Sequence, residues 1–173
     1  MSESEIAPSF EEAKRLVNAG AMLPVHRRIL ADTETPVSAY MKIRAEDRYS
    51  FLLESVEGAE KYARYSFLGV DPFLKFSASG TRSEAHDRRS NTNDVRDGNP
   101  ISHLRELLHQ HRGIPLEGLP RFSGGAVGYF AYDAVRWVEK ISDSGTDDIG
   151  LDDAVFLFYD TVLVFDSVAQ LEL

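Results

Sequence analysis

Apolar positions along the chain follow two rhythms, one of three to four residues and one of two. In the first segment Phe10, Ala13, Leu16 and Val17 share a helical face. Ser9 stands three residues before Glu12 in capping-box spacing, and Gly20 supplies a stop, so a short helix is expected over about 10–19. MLPVHRRIL then reads as an extended strand. Thr35-Pro36 opens a second helix, PVSAYMKIRA, because proline's missing N–H is harmless in a first turn. YSFLLES alternates as a strand, with Phe51, Leu53 and Ser55 on one side and Leu52 and Glu54 on the other. RYSFLGV and FLKFSAS predict two more strands, with a turn at Asp71-Pro72.

From 81 to 99 the pattern turns polar and predicts a surface loop with at most a weak strand. Asn99-Pro100 begins a third helix whose stripe is Ile101, Leu104, Leu107 and Leu108, ended by Gly113. FSGGAVGYFAY is strand-like despite its glycines. Asp133 is placed to cap a short helix, AVRWVEKI. After an acidic loop, AVFLFYDTVLVFDSVAQLEL predicts one or two buried strands. Strand clusters without a βαβ rhythm imply an α+β fold with largely antiparallel sheets packed against helices. The apolar strand pattern running to Leu173 suggests an unpaired edge, and hence a truncated chain whose partner segments lie elsewhere.

Composition narrows the function. With 173 residues, 43% of them hydrophobic, the chain is expected to form one domain, 1–173, or a large piece of one, with a real core. A net charge of -9 argues against nucleic acid and anionic membranes as partners, since both reward basic patches. The absence of cysteine excludes disulfides and thiolate metal sites and points to a reducing, cytoplasmic setting. MSESEIAPSF has neither the basic start nor the apolar core of a signal peptide, and no apolar run nears the ~20 residues of a membrane helix.

No catalytic set emerges. There is no G-x-S-x-G elbow. His103, His109 and His111 lie on the third helix without the i, i+3 or i, i+4 spacing of metal ligands, so solvated surface histidines are the plainer reading. GGAVG lacks the spacing and the lysine of a phosphate loop and reads as close backbone approach or a bulge. The scattered carboxylates are mostly solvated, and no pair of them can be assigned acid and base roles. Glu54-Ser55 admits two readings. One is a strand end with Glu54 in water. The other is a pocket wall in which Glu54 takes an ammonium group, Ser55 adds a donor and acceptor, and Arg64 or Tyr65 meets a carboxylate.

LLES followed by RYSFLG, with PVSAYMKI upstream and SGGAVGYFAYD downstream, resembles the N-terminal region of anthranilate synthase component I, in the chorismate-utilising superfamily. The resemblance runs over about 22–173. It implies a large subunit that converts chorismate to anthranilate with Mg²⁺, taking ammonia from a glutamine amidotransferase subunit, component II. It also implies that the tryptophan feedback site is lined by Leu53, Glu54 and Ser55. Arg64, Tyr65 and Ser66 then form a second wall; relatives can carry a lysine where this sequence has Tyr65. The family's chorismate- and Mg²⁺-binding residues belong to its C-terminal half, so this chain alone is expected to be inactive. An aminodeoxychorismate synthase component I fragment and a free-standing amino-acid-binding module stand as alternatives.

Overall fold

The structure is a computed structural model describing residues 6–17, 22–54, 64–120, 122–142, 145–167 and 171–172. Its elements are α1 (Phe10–Leu16), β1 (Ile29–Leu30), α2 (Pro36–Ile43), β2 (Ser50–Leu53), β3 (Tyr65–Val70), β4 (Leu74–Ser79), β5 (Arg82–Asp87), β6 (Thr92–Asp97), α3 (Pro100–Gln110), β7 (Ala126–Phe130), β8 (Ala154–Phe158), β9 (Leu163–Asp166) and β10 (Leu171–Glu172), with a 3-10 helix at Tyr132–Trp137. All strand pairs within the two sheets are antiparallel, as the pattern of the chain implies. Two compact units hold them. One comprises Met1–Pro72, His111–Gly125 and Tyr159–Leu173, and the other Phe73–Gln110 and Ala126–Phe158.

The first unit carries the sheet β1-β10-β9-β3-β2. Its helices begin where their caps dictate. The Glu12 carboxylate accepts from the Ser9 N–H at 2.9 Å, and the Ser9 hydroxyl accepts in return from the Glu12 N–H. Thr35 and Ser38 exchange the same pair of bonds at the head of α2, with Pro36 in its first turn. α1 ends at Leu16, earlier than expected, and the predicted stop Gly20 lies outside the described residues. The long strand expected at MLPVHRRIL is also shorter, since only Ile29–Leu30 joins the sheet. Pro24 has no N–H to give a ladder, and Met22 and His26 instead make isolated bridges to Gly113 and Ala7.

α2 covers one face of this sheet, where Leu68, Ala39 and Phe165 form a buried cluster joined by Leu52, Tyr40 and Leu163. On the other face Phe51 meets Tyr159 edge-on at 4.9 Å. Its cross-strand partner is Gly69, where any Cβ would collide with the Phe51 ring. β10 pairs with β9 on one side and β1 on the other, so the last strand is interior to the sheet rather than the unpaired edge expected.

The second unit carries the sheet β6-β5-β4-β8-β7. Phe73, Phe76 and Phe158 are at most 1% exposed. Each such ring contributes roughly 1.5–3 kcal/mol by leaving water. Gly128 fulfils the close-approach reading of GGAVG, because a Cβ there would strike the Val155 carbonyl on the neighbouring strand.

The polar stretch read as a loop is instead the hairpin β5–β6. Its inward positions carry small residues, Ser83 and Ala85, at 3% and 4% exposure, so alternation is present without hydrophobic contrast. Leu104 and Leu107 of α3 supply the apolar bulk. β6 is an edge strand bearing Asn93, Asp94, Arg96 and Asp97, a charged edge of the kind that discourages further pairing. His103, expected at the surface, is buried at 3% exposure because it bonds Ser83. The predicted Asp133 cap is also absent. The 3-10 helix starts after Ala131 without a side-chain cap, because the Asp133 carboxylate accepts from Arg136 Nε at 2.8 Å.

Candidate effector-binding site

The register of the first sheet gathers the predicted segments at one end. β2 meets β3 with Leu53 opposite Phe67, and β3 meets β9 with Tyr65 opposite Asp166 and Ser66 opposite Phe165. The end of β2, the start of β3 and the end of β9 therefore coincide. Phe51 anchors β2 by burial, whereas Leu53 is 48% exposed and Glu54 beyond it is exposed as well. Ser55 lies outside the described residues.

Arg64 is the best-defined group here. Its Nε and Nη2 donate to the two carboxylate oxygens of Asp166 at 2.8 and 2.6 Å. The Arg64 side chain is 45% exposed and that of Asp166 only 6%. Hydrogen bonding to Asp166 raises the Arg64 pKa above its ordinary value. Ser167 fixes the Arg64 backbone, donating from both N–H and Oγ to its carbonyl at 2.9 Å. The guanidinium carbon stands 5.0 Å from the centroid of the half-buried Tyr65 ring, which leans toward Phe67 at 6.2 Å. Asp166 was not among the residues singled out from sequence. Its only local signal is a carboxylate directly after the apolar run of β9, and its partner is 102 positions away.

Beside this corner is a cavity of about 460 Å³, lined among others by Asp32, Glu34, Thr35, Ser66, Asp166 and Ser167. Ser66 brings the second predicted wall to it. Among the described residues, Leu53, Glu54, Arg64 and Tyr65 are not in its lining. Glu34 is engaged by Lys42 and Ser38, which hold its carboxyl below the usual range. A second cavity in this unit, about 540 Å³, is bounded by Met22–Arg27, Phe122 and Tyr159–Val164 and contains none of the predicted site residues. Burial raises the Tyr159 pKa there to about 12 and lowers that of His26.

Among the described residues no group of three or more His, Asp or Glu could hold a metal ion. The described residues therefore supply no ligand set for Mg²⁺, and no step through it is assigned to this chain. No helix among the described residues is long and apolar enough to cross a membrane.

Beyond this corner, the likeness to known proteins extends over nearly the whole chain. The chain is 39% identical over 163 residues to anthranilate synthase component 1 of Acetivibrio thermocellus, covering 94% of this chain and 33% of that protein. Nearly the whole chain is homologous to anthranilate synthase component 1. The protein of that name from Synechocystis is 37% identical over 95% of this chain and 32% of its own length. That from Pseudomonas putida is 39% identical over 92% of this chain and 33% of its own length. The crystal structure of anthranilate synthase component I from Streptococcus pneumoniae aligns with a TM-score of 0.52 at 28% identity, over 84% of this chain and 30% of that one. No family model matches the chain. The chain spans about a third of the length of the anthranilate synthase relatives it matches. Its mixed helix and antiparallel-sheet fold is the one that anthranilate synthase component I has over the aligned part.

Proposed function

We propose that this chain is the N-terminal regulatory and scaffold portion, 1–173, of a cytoplasmic anthranilate synthase component 1, and that it carries one wall of the tryptophan feedback site. The whole protein converts chorismate and ammonia to anthranilate and pyruvate. The ammonia comes from glutamine through an amidotransferase partner, component II. The observation that carries this reading is the 39% identity to a protein of that name across 94% of the chain. Catalysis belongs to the remaining two thirds of such a protein, so the chain by itself forms no anthranilate.

The Leu53–Glu54 and Arg64–Tyr65 segments share one end of a sheet, which supports the effector site. Glu54 takes the ammonium group of tryptophan, Arg64 its carboxylate, and Leu53 and Tyr65 flank the indole. Ser55 belongs to the same wall by resemblance. To inhibit, tryptophan must bind the less active arrangement of the whole protein more tightly. A tenfold preference corresponds to ~1.4 kcal/mol.

Titrating L-tryptophan into the chain, followed by two-dimensional NMR, tests this. Weak, saturable shifts confined to residues around 53–54 and 64–66 are expected from a single wall. No saturable shift at those positions would remove the effector reading. Tight binding would instead identify a free-standing amino-acid module.

A further inference from the structure

We propose that Asp166 is the positioning residue of the effector site, holding the Arg64 guanidinium with its outer edge turned toward the effector's carboxylate. This rests on the effector reading above and adds a residue that reading does not contain. Arginine offers five N–H donors in one plane. Two of them, on Nε and Nη2, meet Asp166 at 2.8 and 2.6 Å, a fork on one side of the guanidinium. The donors of the Nη1 edge then point away from Asp166, on a side chain that is 45% exposed.

The holding group is itself fixed. Asp166 is 6% exposed and sits in β9 directly opposite Tyr65. The next residue, Ser167, grips the Arg64 carbonyl through both N–H and Oγ. Both ends of Arg64 are thus held by consecutive residues of one strand end. A free arginine loses rotamer entropy whenever it grips a ligand, and one held in advance has already lost it. The Arg64–Asp166 pair is neutral as a unit. It therefore recognises a carboxylate through the direction and plane of its hydrogen bonds more than through net charge.

The test compares L-tryptophan with tryptamine, which keeps the indole and ammonium groups and lacks the carboxylate. NMR titrations are run on the 173-residue chain as wild type, Asp166→Asn and Asp166→Glu. Asp166→Asn should weaken tryptophan about tenfold and leave tryptamine unchanged, and Asp166→Glu should restore part of the loss. If Asp166→Asn does not fold, Arg64→Lys carries the test. It keeps the charge without the fork, and the same tryptophan-selective loss is expected. Equal losses for both ligands, or no loss for either, would overturn the positioning role and leave the effector reading standing. Absence of tryptophan binding in the wild type would overturn both.

Discussion

The Oγ of Ser83 on β5 lies 2.9 Å from Nδ1 of His103 on α3, with both residues 3% exposed. This bond joins the outer hairpin of the second unit to the helix that covers it. His103 also packs edge-on against Phe76 of β4, with ring centroids 5.4 Å apart. Asp94 and Arg96 face it from β6, and Glu106 from its own helix. Asp94 Oδ2 is 3.5 Å from Nε2, a long charge contact that leaves this buried nitrogen without a close hydrogen-bond partner.

That arrangement makes stability depend on pH. Burial first, and then the charge of Arg96, lowers the His103 pKa, while Asp94 and Glu106 oppose the shift. A histidine with a lowered folded pKa binds fewer protons when native than when unfolded. Its contribution is complete above the unfolded value, about 6.5, and is lost as pH falls through the folded value. The urea midpoint should therefore drop between about pH 7 and pH 5, and His103→Gln should flatten that slope. His26, whose pKa burial also lowers, accounts for a residual slope. A slope identical in the two proteins would show that His103 does not carry it.

Gly69 exists to make room for Phe51. Gly69→Ala should destabilise the chain by roughly 1–3 kcal/mol through overpacking against the ring. In a Phe51→Leu background the same substitution should cost clearly less, since residues in contact are not additive. Equal costs in both backgrounds, measured by urea unfolding, would contradict the contact.

The head of α2 depends on a reciprocal pair, Thr35 with Ser38, at 2.9 and 3.0 Å. Thr35→Ala should remove ~1 kcal/mol, and Thr35→Gly only a few tenths. The ordering of these two variants in denaturant midpoint is the check. Alanine proving the milder change would mean that the Thr35 side chain is not acting as a cap.

The strands that carry the candidate site residues were legible because each is a continuous segment. The alternation in YSFLLES and RYSFLGV placed Phe51 and Leu68 in strands, and the register brings the two segments together. Asp166 was not legible, because a carboxylate 102 positions from its partner leaves no trace in any local window. The hairpin at 82–97 escaped for a different reason. Its inward residues are small, and the apolar surface opposite them belongs to α3.

The sequence by itself determined the helix starts at Ser9 and Thr35, the strands at 50–53, 65–70 and 74–79, and the α+β class. These depend on spacing of two to four residues, which local sterics and backbone hydrogen bonding convert directly into structure. Only the tertiary structure decided that β8 and β9, adjacent in the chain, belong to different sheets, and that His103 is buried. It alone decided that Arg64 is held by Asp166. These outcomes depend on which distant strands pair, and long-range pairing is selected by the burial of whole faces rather than by any one stretch of chain.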